Sequence, residues 1–314
     1  MGAAGLPTMT AALVLTQVLN GLQLGVLLFL LAAGLTLVFG IMNFVNLAHG
    51  SLYMVGAYIA AATANATGSF LLGALAAVPG TMLVGIVIDR VALSGLYQRD
   101  HLDQVLATFG LVLFFNEAVR IVWGASPLYS QTPEWLSGSV ELFGFSYASY
   151  RFAIIAVGLL VAAFLAWLIN GTRVGMLIRA GATHAPIVAA LGVNIRLLNM
   201  LIFGLGAGLA GLAGVMAGPI FSVQSGMGET ILIQTLVVII VGGIGSIRGA
   251  FLAALIIGVA DTLGRVFLPI WMGKLMEPSL AQAAGPALAS MMIYLLMAVV
   301  LAFKPAGLFP VRHG

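Results

Sequence analysis

The first 88 residues of this chain contain no charged side chain, and Asp89 is the first one. A soluble domain carries about 25% charged residues, whereas this chain is 7% charged and 62% hydrophobic. Such a sequence has too few polar side chains to cover a surface exposed to water. Inside lipid, helices satisfy their own backbone hydrogen bonds. The sequence therefore predicts an all-α fold, a polytopic transmembrane helical bundle.

Apolar runs of the length needed to cross a bilayer, about 20 residues, recur along the chain. We predict nine spans near 14–40, 48–66, 70–93, 104–124, 151–169, 196–221, 230–247, 249–268 and 286–303. Polar or glycine residues interrupt the apolar pattern at 41–50 and at 242–249, so some spans are expected to be broken or re-entrant. Counts from eight to ten therefore fit the pattern. No polar segment is long enough for a soluble domain, so we expect residues 1–314 to form a single transmembrane domain.

The basic residues predict how the bundle is oriented. With nine spans and the N-terminus outside, eight basic residues face the cytoplasm, and four lie outside. This distribution follows the excess of Lys and Arg in cytoplasmic loops. The cytoplasmic set is Arg90, Arg99, Arg173, Arg179, Arg196, Arg248, Lys304 and Arg312; the outer set is Arg120, Arg151, Arg265 and Lys274. We expect a periplasmic N-terminus, a cytoplasmic C-terminus and, because the basic residues are scattered between spans, no nucleic-acid partner.

Two stretches place polar and small residues where the apolar pattern is interrupted. Irregular backbone at membrane depth persists only where protein or water surrounds it, and paired interruptions of this kind mark transport pathways. The predicted pathway residues are Asn43, Asn46, His49, Gly50, Ser51, Tyr53, Gly242, Gly243, Gly245 and Ser246. Purely structural roles are also open for these residues. His49 could cap a helix end or hydrogen-bond to a backbone carbonyl, the two asparagines could cap helix ends, and Tyr53 could lie at an interface.

The loop at about 170–196 is basic, predicted to be cytoplasmic and too long for a tight turn. Its middle, 182–191, predicts a short helix lying along the membrane. Gly192 and Asn194 tolerate the left-handed backbone that ends a helix. A helix of small residues in this position fits a groove on a cytoplasmic partner.

Several chemical motifs are absent from the sequence. It contains no G-x-x-x-x-G-K-[ST], no H-E-x-x-H, no serine in G-x-S-x-G and no cysteine. The acidic residues Glu117 and Asp261 each have an arginine three or four positions later, which predicts local ion pairs rather than a proton relay. We therefore expect no catalytic residues, no metal site and no cofactor in this chain.

Four stretches carry a family resemblance: G-L-T-L-V-F-G-I-M-N-F-V-N-L-A-H-G-S-L-Y-M-V-G-A-Y at 34–58, R-V-G-M-L-I-R-A with A-A-L-G-V-N inside 173–194, V-V-I-I-V-G-G-I-G-S-I-R-G-A at 237–250, and P-A-G-L-F at 305–309. In this order they resemble the LivH-type permease family of bacterial ABC importers for branched-chain amino acids.

The resemblance implies an inner-membrane permease that works with two ABC ATPase subunits, which hold the ATP and magnesium. It also implies a homologous second permease subunit, a periplasmic substrate-binding protein and contact with membrane lipid. The 170–196 loop resembles a coupling helix, so contact with the ATPases is expected at Arg173, Arg179, Ala182, Ala190, Leu191 and Gly192. Branched-chain amino acids are the implied substrates, while urea, short amides and aromatic carboxylates stay open.

A hypothesis from another class is a channel or facilitator that conducts a small neutral solute without an ATPase. Broken helices with few charges also suit a channel. The basic 170–196 loop favours the importer, because a channel does not require a surface for a cytoplasmic partner.

Overall fold

The computed structural model describes residues 11–142 and 145–310, and Arg312 lies outside this range. In these residues the chain forms α1 (Ala11–Met42), α2 (His49–Thr67), α3 (Phe70–Ile88), a π-helical turn (Asp89–Leu93), α4 (His101–Trp123), a 3-10 turn (Glu134–Leu136), β1 (Ser139–Leu142), β2 (Phe145–Ala148), α5 (Ser149–Gly171), α6 (Arg173–Ala190), α7 (Ile195–Ala217), α8 (Met227–Gly242), α9 (Ile247–Met272) and α10 (Pro278–Phe303). The predicted helical membrane bundle is confirmed.

Each of the nine predicted spans falls on a helix, but two of these helices are shorter or more polar than expected. Among the described residues, seven helices are long and apolar enough to cross a bilayer: α1, α3 with its π-helical turn, α4, α5, α7, α9 and α10. The other two are α2, which carries polar side chains at both ends, and α8, which has 16 residues. At 1.5 Å per residue, α8 is about 24 Å long, less than the hydrocarbon thickness of about 30 Å.

Helices α1 and α9 pack against each other with their backbones in close contact. A Cβ atom on Gly21 would meet the backbone of Val259, and one on Gly25 would meet the backbone of Ala254. The two helices are antiparallel, since residue numbers rise along α1 as they fall along α9. Small residues allow such close approach between membrane helices. Among the described candidate spans, α1 and α7 are the most deeply buried, and α9 packs on the outside of α1.

Helix α7 packs against α2 and α3 through a row of glycines. Gly211 lies against Gly56 of α2, Gly214 against the backbone of Tyr53, and Gly208 against Met82 of α3. Glycines three or four positions apart share one helix face, so this face of α7 lets two helices approach closely.

Two ion pairs predicted from the sequence are present. Arg120 donates to Glu117 at 3.1 Å, and Arg265 donates to Asp261 at 2.8 Å. Both pairs lie within single helices, α4 and α9, and Asp261 is buried while Glu117 is exposed. The residues between α4 and α5 contain an antiparallel hairpin, β1 and β2, in which Ser139 pairs with Ala148.

Candidate functional site

The interruption at 41–50 separates α1 from α2. Helix α1 ends at Met42, and Asn43 adopts φ of +48°, the left-handed backbone that ends helices. The chain then runs without regular structure to His49, and the backbone N–H of Val45 donates to Oε1 of Gln104 at 3.3 Å. The break predicted here is present, and Asn43 ends a helix.

Helix α2 begins inside the bundle. His49 is buried, with its Nε2 atom 3.2 Å from the carbonyl oxygen of Leu31. A Cβ atom on Gly34 would meet both the His49 ring and the carbonyl oxygen of Gly206. Because Gly206 is near the middle of α7, α2 starts level with the middle of that helix. The segment before it is therefore re-entrant.

The next predicted pathway residues lie in helix contacts. Gly50 packs against the backbone of Gly228 at the start of α8, and the carbonyl of Tyr53 packs against Gly214. Ser51 and Asn46 are buried, and neither amide atom of Asn46 has a hydrogen-bond partner among the described residues. The structure thus places Gly50 and Ser51 where α2 meets α8, and Tyr53 where α2 meets α7.

The second interruption is a tight turn between α8 and α9. Gly243 and Gly245 have φ of +104° and +80°, a backbone that side chains with a Cβ atom rarely adopt. Ser246 begins α9, and its side-chain oxygen accepts a hydrogen bond from the N–H of Gly249 at 3.1 Å. Gly242 packs against the backbone of Gly249, so the two helices leave the turn in close contact.

The C-terminal P-A-G-L-F stretch is held against this turn. The N–H of Leu308 donates to the carbonyl of Val241 at 2.8 Å, and the N–H of Phe309 donates to the carbonyl of Gly242 at 3.0 Å. These carbonyls belong to the last turn of α8, where intrahelical partners are missing. Two stretches that carry the family resemblance are therefore bonded to each other.

A cavity of about 1000 Å³ lies between α1, α5, α6 and α9. We call it the vestibule. It brings together three predicted pathway residues and two predicted coupling residues: Asn43, Gly245, Ser246, Arg179 and Ala182. The remaining pathway residues, which are Asn46, His49, Gly50, Ser51, Tyr53, Gly242 and Gly243, do not line it. Sequence reasoning did not identify Phe29, Thr36, Arg248 or Phe251 as lining residues.

Helix α6 corrects the predicted extent of the short helix in the 170–196 loop. The helix begins at Arg173, where Oγ1 of Thr172 accepts from the N–H of Gly175 at 3.0 Å, rather than near residue 182. It bends at His184, which has φ of −146° and ψ of 71°. Pro186 explains the bend, because proline lacks an N–H and its ring clashes with the preceding turn.

The end of α6 agrees with the sequence prediction. Gly192 has φ of +88°, and its N–H donates to the carbonyl of Ala189 at 2.9 Å. Arg173, Arg179, Ala190 and Gly192 are exposed, Ala182 is half-buried, and Leu191 is 79% exposed. Four of the six predicted coupling residues therefore lie in α6, and the other two, Leu191 and Gly192, follow it directly.

Within residues 11–142 and 145–310, no group of three or more His, Asp or Glu side chains could hold a metal ion. The site is instead a largely apolar vestibule bordered by a bent basic helix.

The family described as "Branched-chain amino acid transport system / permease component" matches residues 17–301. The chain belongs to this family. It is 31% identical to the high-affinity branched-chain amino acid transport permease LivH of Salmonella typhimurium over 267 residues, covering 81% of this chain and 87% of the relative. It is also 31% identical to BraD of Pseudomonas aeruginosa, a permease of the same description, over 307 residues, 94% of this chain and 95% of the relative.

A more distant relative is the autoinducer 2 import permease LsrC of Salmonella paratyphi B, which is 26% identical over 271 residues, 82% of this chain and 72% of the relative. No solved structure matches the chain. Together with the seven apolar helices, family membership identifies this permease as a multi-pass protein of the inner membrane.

Proposed function

We propose that this permease is the membrane subunit of an ATP-driven importer that carries branched-chain amino acids delivered by a periplasmic binding protein. Family membership and relatives such as LivH and BraD support this substrate class. The energy would come from two ABC ATPase subunits that bind ATP and magnesium. A homologous second permease subunit would complete the membrane part.

The observation that carries the coupling role is the position of α6 between solvent and the vestibule. Arg179 and Ala182 line the vestibule from this helix. Beyond the bend, Ile187 is 58% exposed and Leu191 is 79% exposed. An ATPase that binds these exposed apolar side chains and moves α6 would displace one wall of the vestibule. A solute pathway would in this way respond to ATP.

The direct test is to place a charge on the exposed end of this segment. Leu191→Glu is expected to reduce ATP-driven leucine uptake about tenfold or more and to weaken co-purification of the ATPases, because burying an unpaired charge in an interface costs several kcal/mol. Leu102→Glu is the matched control, since Leu102 is also a leucine at the same end of the bundle and is 77% exposed. Both variants should insert into the membrane in normal amounts.

The outcomes separate the importer from the channel. Normal ATP-driven uptake by Leu191→Glu would contradict the coupling role of this segment. If the chain purifies from its membrane as a homo-oligomer without ATPases, and uptake does not depend on ATP, the channel hypothesis replaces the importer.

A further inference from the structure

Helices α4, α5 and α10 leave most of their surface uncovered by the described part of the chain. In their apolar windows, 22%, 17% and 11% of the residues are buried. Lipid can cover such a surface where the exposed side chains are apolar, whereas a charged side chain inside the hydrocarbon is costly. The polarity of each exposed face therefore shows whether lipid or another protein covers it.

The exposed faces of α5 and α10 are apolar, as lipid-facing helices require. Leu160 and Phe164 of α5 are exposed, and so are Leu295 and Val299 of α10. Helix α10 contains no charged residue, and the charged residue of α5 is Arg151, in its first turn. Lipid is the expected cover for both faces.

Helix α4 and the start of α8 share an exposed face that is polar. The side-chain amide of Asn116 in α4 donates to Oε1 of Glu229 in the first turn of α8. The Ser225 hydroxyl, just before α8, donates to the backbone carbonyl of Asn116 at 3.1 Å. Side chains three or four positions apart share one side of a helix. On this basis the α4–α8 face comprises Leu113, Asn116, Arg120, Glu229, Thr230 and Ile233.

The α4–α8 face lies at membrane depth. Gly228, next to Glu229, packs against Gly50 at the start of α2, which is level with the middle of α7. Asn116 lies about 11 Å from Trp123, where α4 ends. Glu229 is exposed, and among the described residues its side-chain partner is the neutral amide of Asn116. An exposed carboxylate without a basic partner is therefore placed well inside the bilayer.

Other exposed charges in the outer halves of the helices are easier to accommodate in lipid. Arg120 pairs with Glu117, and Arg265 pairs with Asp261. Each arginine lies within about 11 Å of a helix end, and a long arginine side chain can extend to the membrane surface. Glu229 has a shorter side chain and no such pairing. Lipid is therefore a poor cover for the α4–α8 face, and protein is a better one.

We propose that the α4–α8 face is the surface through which this chain contacts a second permease chain within the membrane. The occupant has to span the membrane, because the face lies inside the hydrocarbon. It also has to offer Glu229 a positive charge or a hydrogen-bond donor. A chain of the same fold meets both requirements. In a two-fold pair the same face of each chain meets the other, so a basic group equivalent to Arg120 can approach Glu229.

This inference rests on the proposed function, which includes a second permease subunit, and it adds the surface that this subunit covers. The vestibule lies elsewhere, between α1, α5, α6 and α9. The contact is therefore separate from the helices that enclose the vestibule.

The test places the photo-crosslinking amino acid p-benzoylphenylalanine at single exposed positions. Leu113 and Ile233 are the reporters on the α4–α8 face, and Leu160 and Leu295 are the controls on α5 and α10. The four side chains are between 50% and 69% exposed. Ile233 and Leu295 lie about 13 Å from the last residue of their helices, and Leu113 and Leu160 lie about 16 Å from the opposite end of the bundle. Reporters and controls are thus matched in exposure and depth.

The complete transporter is illuminated in its native membrane, and the crosslinked chains are identified by the masses of their peptides. We expect both reporters, and neither control, to crosslink to a second permease chain. Ile233→Trp gives an independent measure. It should reduce co-purification of the second permease about tenfold, because added bulk in a packed contact is costly. Leu295→Trp should leave co-purification unchanged.

Three results would overturn the proposed surface: no crosslink to a permease chain from either reporter, equal crosslinks from the controls, or full co-purification with Ile233→Trp. ATP-driven leucine uptake by the same cells is measured in parallel. Normal uptake without these crosslinks contradicts the surface and leaves the proposed function intact. Crosslinks between two copies of this chain support the surface and contradict the homologous second subunit of the proposed function. Crosslinks without ATP-driven uptake likewise support the surface and contradict the importer.

Discussion

Gly50 shows how one residue type can limit the distance between two helices. A Cβ atom on Gly50 would overlap the carbonyl group of Gly228 and would crowd Leu232. Because the obstacle is backbone, it cannot move away by rotating a side chain. The start of α2 can therefore lie this close to the start of α8 only because Gly50 has no side chain.

Gly50→Ala is expected to destabilise the protein by about 1–3 kcal/mol, the usual cost of overpacking. Gly110→Ala is the matched control, since Gly110 also lies in a helix but a Cβ atom there meets nothing within 4 Å. The control should be neutral or stabilising by about 0.5–1 kcal/mol, because glycine is unfavourable within helices. The midpoint of thermal unfolding in detergent measures both. Equal midpoints for the two variants would contradict the packing argument.

The sequence predicted that residues 43–53 interrupt the helical pattern and need polar partners, but it did not distinguish their individual roles. Asn43 lines the vestibule, whereas His49 contacts a carbonyl of α1 and Gly50 contacts α8. The difference depends on partners that are distant in the sequence, such as Leu31 and Gly228. Local patterns show that a polar residue needs a partner, but they do not show which helix supplies it. The translocation roles of these residues stay predictions.

At the scale of elements, the apolar pattern placed the helices well, because apolar runs of span length have few alternatives in lipid. The hairpin Ser139–Ala148 and the π-helical turn Asp89–Leu93 were not predicted. Both lie at span ends or between spans, where tertiary contacts decide the backbone. Helix α6 was predicted as shorter than it is, since Gly175 and Gly181 in its first half are unfavourable within helices and weigh against a helix there.

The end of α6 gives a prediction about backbone geometry. Gly192 has φ of +88°, and a Cβ atom there meets nothing within 4 Å. Because the new side chain would clash with no neighbour, Gly192→Val is expected to cost about 1–2 kcal/mol in backbone strain only. Relief of this strain would change the direction of the chain after Leu191. Gly192→Asn is the matched control, because asparagine tolerates the left-handed backbone.

ATP-driven leucine uptake, normalised to the amount of inserted transporter, compares the two variants. The valine variant should lose most of its leucine uptake, and the asparagine variant should keep a leucine uptake close to that of the unsubstituted protein. Equal losses would show that added bulk at the ATPase surface matters, rather than the direction of the chain.

At the scale of the whole molecule, the helix ends divide into two groups. The turn 243–246, the helix α6 and the segment 94–100 lie at one end of the bundle, and the hairpin between α4 and α5 lies at the other. The vestibule opens between α1, α5, α6 and α9 at the first end, near Arg179 and Arg248. The distribution of basic residues predicts that this end faces the cytoplasm. The coupling role proposed for α6 requires this orientation, because the ATPases are cytoplasmic.

Two exposed serines at opposite ends test this orientation. Ser94 and Ser137 each donate their hydroxyl to a backbone carbonyl three or four residues earlier, to Arg90 at 3.1 Å and to Glu134 at 2.7 Å. In a chain without cysteine, Ser94→Cys and Ser137→Cys are therefore closely matched reporters. An impermeant thiol reagent should modify Ser137→Cys in cells with a permeabilised outer membrane and Ser94→Cys in inside-out vesicles. The reverse pattern would place α6 and the vestibule on the periplasmic side, where a cytoplasmic ATPase could not bind α6.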